Sequence, residues 1–318
     1  MTTTYNSGVR VKGNKLQEIC NLGYVITVLV FLISLSSCRG SKAGSSYDCV
    51  NTDHSFHTTI EHGGVTREYI LYIPSSYDNS IPSPLVINFH GYGGCAMNHL
   101  DYAGDLNSIA DNENFIIAYP QAVATTKDDV SWNPEDNGIQ NIQENDVYFT
   151  EQLISAISSD YAVDSSRIYS VGYSNGGMMS YGLACSRPDM IAAIGIMSGI
   201  MLPQACNTNE YTSVIHFHGI DDNELPYDGN QDYQSISEVL DFWLDQNNIP
   251  ESSLVSTQLN NSDVQRDEYT GGLENTSVVL YTINNEYGEP GGHVWFQDQI
   301  DGDSPNQLLW DFLSNYSL

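Results

Sequence analysis

The segment around Ser174 constrains the fold more than any other part of the sequence. The apolar run 167–171 leads directly into Gly-Tyr-Ser-Asn-Gly at 172–176, and a helical pattern follows. The two glycines let the backbone crowd around the serine without a Cβ clash. Gly-x-Ser-x-Gly between a strand and a helix is typical of a nucleophile elbow, a tight turn that exposes a serine hydroxyl to a base. The same pattern also occurs by chance in glycine-rich turns, so its surroundings decide its meaning.

Short apolar runs alternate with helical patterns along most of the chain. We predict strands at 67–73, 85–89, 115–119, 167–171, 192–199, 214–219 and 277–283. We predict helices at about 100–112, 146–161, 231–247 and 305–318, as well as the one after Ser174. This alternation indicates an α/β fold with a mostly parallel central sheet and helices on both faces. The alternating residues of 67–73 suit an antiparallel pair at the sheet edge, whereas the continuous apolar run 85–89 suits a central strand.

The composition limits the classes of function. The chain has 318 residues, of which 41% are hydrophobic, and this is enough for one sizeable core in a single domain. Lys and Arg number 10 against 40 Asp and Glu, so the formal net charge is −30. Such a surface repels phosphate backbones and anionic lipid headgroups, so we expect no nucleic-acid binding and no basic membrane-surface patch. The negative charge is expected to serve solubility.

Residues 1–37 have the pattern of a lipoprotein signal peptide. Arg10, Lys12 and Lys15 precede the apolar run 22–35, which has the length of a signal-peptide core and is shorter than the ~20 residues of a membrane span. Leu-Ser-Ser-Cys at 35–38 resembles a bacterial lipobox and predicts lipid attachment at Cys38. Plain secretion and an uncleaved anchor are the alternatives. All three place the chain outside the cytoplasm. It is expected either on a bacterial membrane, facing the periplasm or the cell surface, or in secreted form.

The residues after Cys38 are small and polar up to about position 50, so 38–50 is predicted to be a flexible tether and 51–318 the folded domain. Cys20 lies in the predicted signal peptide and Cys38 is the predicted lipid site. The four other cysteines are Cys49, Cys95, Cys185 and Cys206. An even number in an oxidising compartment predicts two disulfides, although four cysteines allow three connectivities. No two of them have the close spacing of a zinc knuckle, so we expect no metal site from them.

A nucleophilic serine requires a base and a supporting acid. In the α/β-hydrolase arrangement these follow the serine in the order acid, then histidine. Only His216, His218 and His293 come after Ser174, and only His293 leaves room for an acid before it. His293 follows two glycines in a loop just past the last predicted strand. The chain order therefore predicts His293 as the base.

The acid is predicted in the loop that follows strand 214–219. Asp221 and Asp222 both qualify, because functional groups gather in loops at the carboxyl ends of sheet strands. A calcium site is the rival interpretation of this acidic loop, but its spacing does not match an EF-hand. His216 and His218, two apart on the strand, are expected to point to opposite faces. Joint metal ligation by these two histidines is therefore not expected.

Stabilising an oxyanion requires two backbone donors. The N–H of Asn175, directly after the serine, is one candidate. The other is the N–H of Tyr92 in His-Gly-Tyr-Gly-Gly at 90–94, directly after a predicted central strand. The glycines there would allow the backbone to approach a substrate, although they could also mark a simple tight turn.

From about Arg67 to Trp295 the chain resembles the secreted α/β-hydrolase esterases grouped as polyhydroxybutyrate depolymerase-like and feruloyl or acetylxylan esterases. The matching motifs are Pro-Leu-Val at 84–86, His-Gly-Tyr-Gly-Gly at 90–94, Ser-Trp-Asn at 131–133, Asp-Ser-Ser-Arg-Ile-Tyr at 164–169, Gly-Tyr-Ser-Asn-Gly-Gly-Met at 172–178, His-Gly at 218–219 with Asp222 and Pro-Tyr at 226–227, and Gly-His-Val-Trp at 292–295. The resemblance implies Ser174 as the nucleophile, Asp222 in preference to Asp221 as the acid, and His293 as the base.

The resemblance also implies a disulfide between Cys185 and Cys206, which leaves Cys49 with Cys95. Two positions depart from the family pattern. Tyr173 replaces a common leucine before the serine, and Phe296 replaces the usual proline after Trp295. Both changes could reshape the pocket for the acyl group or the alcohol.

The activity implied is hydrolysis of carboxylic esters by acyl transfer through the serine, with no metal or organic cofactor. Feruloyl or acetyl esters of plant polysaccharide are the expected substrates. The alternatives are a depolymerase for short-chain polyesters, a serine peptidase of the same fold and an inactive binding protein. Trp132, Tyr227 and Trp295 lie in or beside the predicted active-site loops and are candidate substrate-binding residues, although each could also belong to the core. The oligomeric state is left open.

Overall fold

The computed structural model describes residues 57–126, 129–134, 145–202, 206, 210–260, 263–284 and 292–318. In this part of the chain a ten-stranded sheet and a separate two-stranded sheet are present. The strands are, in chain order, β1 (His57–His62), β2 (Val65–Tyr72), β3 (Ser83–Phe89), β4 (Ile116–Pro120), β5 (Ala124–Thr126), β6 (Asp129–Val130), β7 (Val163–Tyr173), β8 (Ala193–Met197), β9 (Ser213–Gly219), β10 (Val255–Leu259), β11 (Val264–Tyr269) and β12 (Val278–Ile283).

The order across the large sheet is β1-β2-β4-β3-β7-β8-β9-β12-β11-β10, and β5 pairs with β6. The middle of the sheet, from β4 to β12, is parallel. The β1–β2 and β10–β11 hairpins extend it antiparallel on either side. Because parallel strands end at a common edge, the loops that follow β3, β7, β8, β9 and β12 all open at that edge.

Helices cover both faces of the sheet. They are α1 (Ala96–Tyr102), α2 (Leu106–Glu113), α3 (Asp146–Asp160), α4 (Asn175–Ser186), α5 (Ile236–Gln246) and α6 (Pro305–Leu313). Buried residues of α3, α4 and α5 form one apolar cluster, and those of α1, α2 and α6 form a second. The central strands contribute to both clusters, since Leu85 and Ile87 belong to the first and Val86 to the second. The predicted α/β-hydrolase architecture, with a mostly parallel sheet between two helical layers, is confirmed.

Two predicted helices have different bounds in the structure. The helix expected at 100–112 is divided into α1 and α2 around Gly104, whose φ of +67° lies in the left-handed region. The helix expected from 231 begins only at Ile236, because Ser235 forms a capping box with Glu238. The Ser235 hydroxyl accepts the Glu238 N–H, and the Glu238 carboxylate accepts the Ser235 N–H.

The hairpin of β10 and β11 was not predicted from the sequence. β10 is exposed along almost its whole length, and β11 has mostly polar side chains of intermediate exposure. An edge hairpin of this kind lacks the apolar run or alternation that marks a strand in the sequence. Backbone pairing of β11 with β12 holds the hairpin on the sheet.

Cys185, in the last turn of α4, is disulfide-bonded to Cys206, which is the pairing that the resemblance implies. Cys49, the partner implied for Cys95, lies outside the described residues. So do Cys38, the predicted signal peptide 1–37 and the predicted tether 38–50, which all stay predictions. All described residues belong to a single unit, Ala43–Leu318. Among the described helices, none has both the length and the apolar character that crossing a membrane requires.

Candidate active site

Ser174 forms the turn between β7 and α4. Its backbone dihedrals are φ 53° and ψ −118°, a conformation that costs a non-glycine residue about 1–3 kcal/mol. The turn is also tightly packed, because a Cβ atom at Gly176 would lie 2.1 Å from the carbonyl oxygen of Phe89. A hydrogen bond from the Ser174 N–H to the carbonyl of Met197, 3.0 Å long, holds the strained residue against β8. The serine side chain is thereby presented at the edge where the parallel strands end.

His293 lies within hydrogen-bonding distance of this serine. Its Nε2 atom is 3.0 Å from the Ser174 Oγ atom. Two side chains from neighbouring strands hold the histidine loop in place. The Tyr173 hydroxyl donates to the backbone carbonyl of His293 at 2.8 Å, and the Ser198 hydroxyl donates to that of Val294 at 2.8 Å. The backbone of the histidine loop is therefore held at the ends of β7 and β8.

Asp222 completes the line of hydrogen bonds. Its Oδ2 atom is 2.7 Å from the His293 Nδ1 atom, and its Oδ1 atom accepts the N–H groups of Glu224 and Leu225 at 2.9 and 2.8 Å. The residue is buried, with 3% of its surface exposed, whereas Asp221 is exposed. A carboxylate can only accept, so the proton of the neutral imidazole is on Nδ1 and the Nε2 lone pair faces the serine hydroxyl.

The remaining histidines after Ser174 contact each other. The Nε2 atom of His216 is 3.1 Å from the Nδ1 atom of His218. The expectation that these two side chains point to opposite faces is wrong, because residues two apart on a strand share a face. Within the part of the chain that the structure describes, no cluster of three or more His, Cys, Asp or Glu side chains is arranged to hold a metal ion.

The loop that follows β3 packs against Ser174. A Cβ atom at Gly91 would lie 3.3 Å from the Cβ atom of Ser174. Buried His90 holds this loop, since its Nε2 atom accepts the Ala122 N–H at 3.1 Å and its Nδ1–H donates to the Gly91 carbonyl at 2.7 Å. Burial lowers the pKa of His90 to about 4, so the ring is neutral at pH 7. Tyr92, whose N–H is a predicted oxyanion donor, is 64% exposed at the mouth of the site.

Trp132 connects this loop to Asn175, the residue after Ser174. Its indole Nε1–H donates to the His90 carbonyl at 2.8 Å. Its backbone N–H donates to the Asn175 side-chain oxygen at 2.7 Å, and its carbonyl accepts from the Asn175 side-chain nitrogen at 3.2 Å. Only 2% of Trp132 is exposed. The structure therefore places this predicted substrate-binding residue beneath the loop that carries His90 and Tyr92.

A cleft of about 420 Å³ opens over the serine. It is lined by Tyr92, Tyr173, Ser174, Asn175, Met178, Glu224, Leu225, Tyr233 and His293. Sequence reasoning did not identify four of these, Met178, Glu224, Leu225 and Tyr233. Met178 follows Ser174 by four residues at the start of α4, so the helical period could have placed it on the same side as Ser174. Tyr233, by contrast, lies in a loop whose course the sequence does not indicate.

The other two predicted substrate-binding aromatic residues do not line this cleft. Trp295 is buried, its indole N–H donates to Asn306 at 3.0 Å, and its ring packs against that of His99. Tyr227 is half-buried, and its hydroxyl shares a hydrogen bond with that of Thr282. Tyr227 and Trp295 come shortly after Asp222 and His293 in the sequence. This nearness in sequence does not determine where their side chains point.

Comparison with known proteins identifies the family. The family model described as "Esterase PHB depolymerase" matches residues 67–234. The chain is 27% identical over 297 residues to a probable feruloyl esterase C of Aspergillus niger, with 90% of this chain and 96% of the relative covered. It is 26% identical over 260 residues to a bifunctional acetylxylan esterase/xylanase, XynS20E, of Neocallimastix patriciarum, with 80% of this chain and 34% of the relative covered.

The fold has a counterpart among solved structures. An acetyl xylan esterase from Aspergillus awamori superposes with a TM-score of 0.60 at 14% sequence identity, with 81% of this chain and 98% of that one covered. At this identity the similarity establishes the α/β-hydrolase fold alone. The family match extends over more than half of the chain and includes β7, the turn at Ser174 and the loop that carries Asp222. The chain therefore belongs to the PHB depolymerase esterase family and is a carboxylic-ester hydrolase.

Proposed function

We propose that the chain hydrolyses esters through a Ser174, His293 and Asp222 triad and that its substrates are feruloyl or acetyl esters of plant polysaccharide. The observation that carries this proposal is the continuous hydrogen-bonded line in the cleft. It runs 3.0 Å from the Ser174 hydroxyl to His293 and 2.7 Å from His293 to the buried carboxylate of Asp222.

The reaction proceeds in two acyl transfers. Ser174 attacks the ester carbonyl while His293 Nε2 takes the hydroxyl proton, and Asp222 stabilises the imidazolium that forms. The protonated His293 then gives this proton to the leaving alcohol, which departs and leaves an acyl-serine. Water repeats the attack with His293 again as base, so the acid is released and the serine regenerated.

Backbone donors surround the developing oxyanion. The N–H of Asn175 is the first of α4 and therefore has no acceptor within that helix. It also lies at the positive end of the helix dipole, where negative charge is favoured. The loop of Gly91 and Tyr92 also packs against Ser174, and its Tyr92 N–H is the second donor.

Aromatic side chains around the cleft support a substrate with a flat acyl group. Tyr92, Tyr173 and Tyr233 line it together with the apolar side chains of Met178 and Leu225. Its volume of about 420 Å³ accommodates an aromatic acyl group and the first part of the alcohol. The names of two relatives, feruloyl esterase C and acetylxylan esterase, favour the same substrates. A short-chain polyester is the second candidate, favoured by the family description.

The site of action is proposed to be outside the cytoplasm, with the chain anchored by lipid at Cys38. The lipobox-like pattern at 35–38 supports the anchor, and the Cys185–Cys206 disulfide supports an oxidising compartment. In a bacterial host supplied with labelled palmitate, the wild type and Cys20→Ala should incorporate the label, whereas Cys38→Ala should not. Incorporation of the label by Cys38→Ala would contradict lipid attachment at Cys38.

Covalent labelling tests the nucleophile. A small fluorophosphonate should modify the wild-type chain at Ser174 alone, and Ser174→Ala should remain unlabelled. Ser158→Ala, which removes an exposed hydroxyl from α3, should label like the wild type. Labelling that persists in Ser174→Ala would refute the assignment.

A matched pair of variants tests the acid. Asp222→Asn should lower kcat by roughly 10³ to 10⁴, because an amide cannot hold the His293 proton on Nδ1. Asp221→Asn makes the same change at the neighbouring exposed residue and should leave kcat within about twofold. The reverse result would show that Asp221, and not Asp222, is the supporting acid.

The substrate class is decided by a panel of methyl ferulate, acetylated xylan, short p-nitrophenyl esters, polyhydroxybutyrate and a peptide amide. We expect the highest kcat/KM on methyl ferulate or acetylated xylan. Turnover of polyhydroxybutyrate alone would select the polyester alternative, and cleavage of the amide alone would select a peptidase.

A further inference from the structure

Two buried histidines extend the hydrogen-bonded line beyond Asp222. His216 and His218 both lie on β9, and less than 5% of either is exposed. The Tyr181 hydroxyl is 2.9 Å from His216 Nδ1, and His216 Nε2 is 3.1 Å from His218 Nδ1. His218 Nε2 in turn is 2.9 Å from the Leu225 carbonyl and 3.4 Å from Asp222 Oδ2. Neither histidine contacts the nucleophile, and the mechanism above uses neither.

The Leu225 carbonyl is the last acceptor in this series of hydrogen bonds, and it determines the direction of every bond in the series. The Leu225 carbonyl has no proton to give, so His218 must carry its proton on Nε2. In a neutral ring the His218 Nδ1 atom then has the lone pair, and it accepts from the Nε2–H of His216. The Nδ1 atom of His216 accepts in its turn from the Tyr181 hydroxyl. With neutral rings, no other assignment of protons satisfies all these contacts.

Burial keeps both rings neutral. It is the largest influence on the pKa of His216, which lies well below its usual range, and on the pKa of His218, which is also lowered. The Leu225 carbonyl and the Asp222 carboxylate oppose the shift at His218 without reversing it. Burial also raises the pKa of Tyr181, so its hydroxyl remains a donor.

The groups that face His218 come from several elements. His216 lies on the same strand, and the carbonyl of Gly199 follows β8. Asp222 faces it from the acid loop and His293 from the loop after β12. The ring of Tyr227 lies 6.0 Å away. Of these groups only Asp222 is a carboxylic acid.

We propose that His218 is a positioning residue for the acid: a neutral imidazole, fixed in one tautomer by His216 and Tyr181, whose Nε2–H holds the Asp222 loop. This inference rests on the proposed role of Asp222. The N–H of His218 contacts the beginning of the loop at the Asp222 carboxylate and its end at the Leu225 carbonyl. The Leu225 N–H contacts the other carboxylate oxygen. The carboxylate is thereby held on both oxygens by groups that His218 positions or supplies.

The two contacts of His218 differ in strength. The 2.9 Å bond to Leu225 is a normal hydrogen bond, whereas 3.4 Å to Asp222 Oδ2 is long. The role is therefore mainly one of position, with a smaller electrostatic effect on the oxygen that faces His293. Loss of the N–H leaves more negative charge on that oxygen and favours the imidazolium of His293.

The experiment compares His218→Gln with His218→Asn. A glutamine amide reaches the place of the imidazole Nε2–H and can donate to Leu225, whereas an asparagine amide reaches only the place of Nδ1. We expect His218→Gln to retain kcat on a short p-nitrophenyl ester within about threefold. His218→Asn should lower kcat by about 10- to 100-fold, the effect of a small misplacement of a reacting group, with KM within about twofold. In His218→Asn the acid limb of the pH profile of kcat should also move up by roughly half a pH unit.

The control is His99→Asn, which removes another buried neutral imidazole. His99 donates to Asn88 at 2.8 Å in the helical layer on the opposite face of the sheet from His216 and His218. This variant should lower the midpoint of thermal unfolding without changing kcat or the pH profile. Equal kcat values for His218→Gln and His218→Asn, or a loss in His218→Asn with an unchanged pH profile, would overturn the inference.

Labelling by the fluorophosphonate separates this inference from the proposed function. Absence of labelling at Ser174 in the wild type would refute the triad. Labelling at Ser174 in the wild type, with an equal rate in both His218 variants, would refute only the positioning role.

Discussion

A single indole N–H fixes the position of the predicted oxyanion loop. The Trp132 Nε1–H donates to the His90 carbonyl at 2.8 Å, and the Trp132 and His90 ring centroids lie 5.0 Å apart. Trp132→Phe keeps an aromatic ring in the core but leaves that carbonyl without its donor. We expect kcat to fall about tenfold, the equivalent of one hydrogen bond of about 1.4 kcal/mol, with little change in KM. Steady-state kinetics on a short p-nitrophenyl ester provide the measurement.

Trp310→Phe is the matched control for this prediction. Trp310 is also buried, and its ring stacks on Phe115 with centroids 3.9 Å apart in the helical layer that contains α6. Its replacement should lower stability and leave kcat unchanged. A tenfold loss of kcat in both variants would show that Trp132 acts through general stability of the core.

At the scale of residues, the sequence predicted best those site residues whose order along the chain is characteristic. Chain order selected Ser174 and His293 and limited the predicted acid to Asp221 or Asp222, and the family resemblance then preferred Asp222. The structure brings the side chains of Ser174, His293 and Asp222 together. The substrate-binding aromatics could not be selected in the same way. Trp132 and Trp295 are near the site in sequence but their rings point into the core, since side-chain direction depends on packing that no local pattern reports.

At the scale of elements, the Cys185–Cys206 disulfide ties the end of α4 to the segment after β8. The two cysteines are 21 residues apart, and closing a loop of this length stabilises a fold by about 3 kcal/mol through the entropy of the unfolded chain. The double variant Cys185→Ser/Cys206→Ser should lose about this free energy of unfolding in urea titrations. Its kcat should be retained, because the disulfide lies at the far end of α4 from Ser174.

Packing of α4 is the reason to expect unchanged kinetics. Ten consecutive residues of this helix, from Gly176 to Cys185, are buried against the sheet and α3. The elbow is therefore held by the core and by the Ser174 bond to Met197 rather than by the disulfide. A large loss of kcat without a loss of stability in the double variant would contradict this division of roles.

Elements were predictable in proportion to their burial. The central strands are apolar on both faces, and β3, β4, β8 and β9 are buried at every residue, so their positions were evident. The β10–β11 hairpin at the edge, which carries polar side chains, was missed. The contact of His216 with His218 was also missed, although it follows from the two-residue period of a strand once β9 is placed.

At the scale of the whole molecule, neutral histidines are buried on both faces of the large sheet. His90 and His99 have pKa values lowered by burial to about 4 and about 3, and burial also lowers those of His216 and His218. In the unfolded chain each of these groups titrates near pH 6.5. The acidic composition, with a net charge of −30, acts in the opposite direction, because acid reduces the repulsion between carboxylates.

These histidines make the free energy of unfolding depend on pH below about 6.5. Between pH 6.5 and the lowered values, the unfolded chain binds protons that the folded chain does not, so stability falls as the pH falls. Each histidine contributes a slope of at most about 1.4 kcal/mol per pH unit. His99→Gln keeps a donor for Asn88 but cannot be protonated, and the overall charge effect cancels when the two proteins are compared. Between pH 5 and 6 the wild type should therefore show the steeper loss of unfolding free energy in urea titrations, by about 1 kcal/mol per pH unit, and equal slopes would contradict a neutral buried His99.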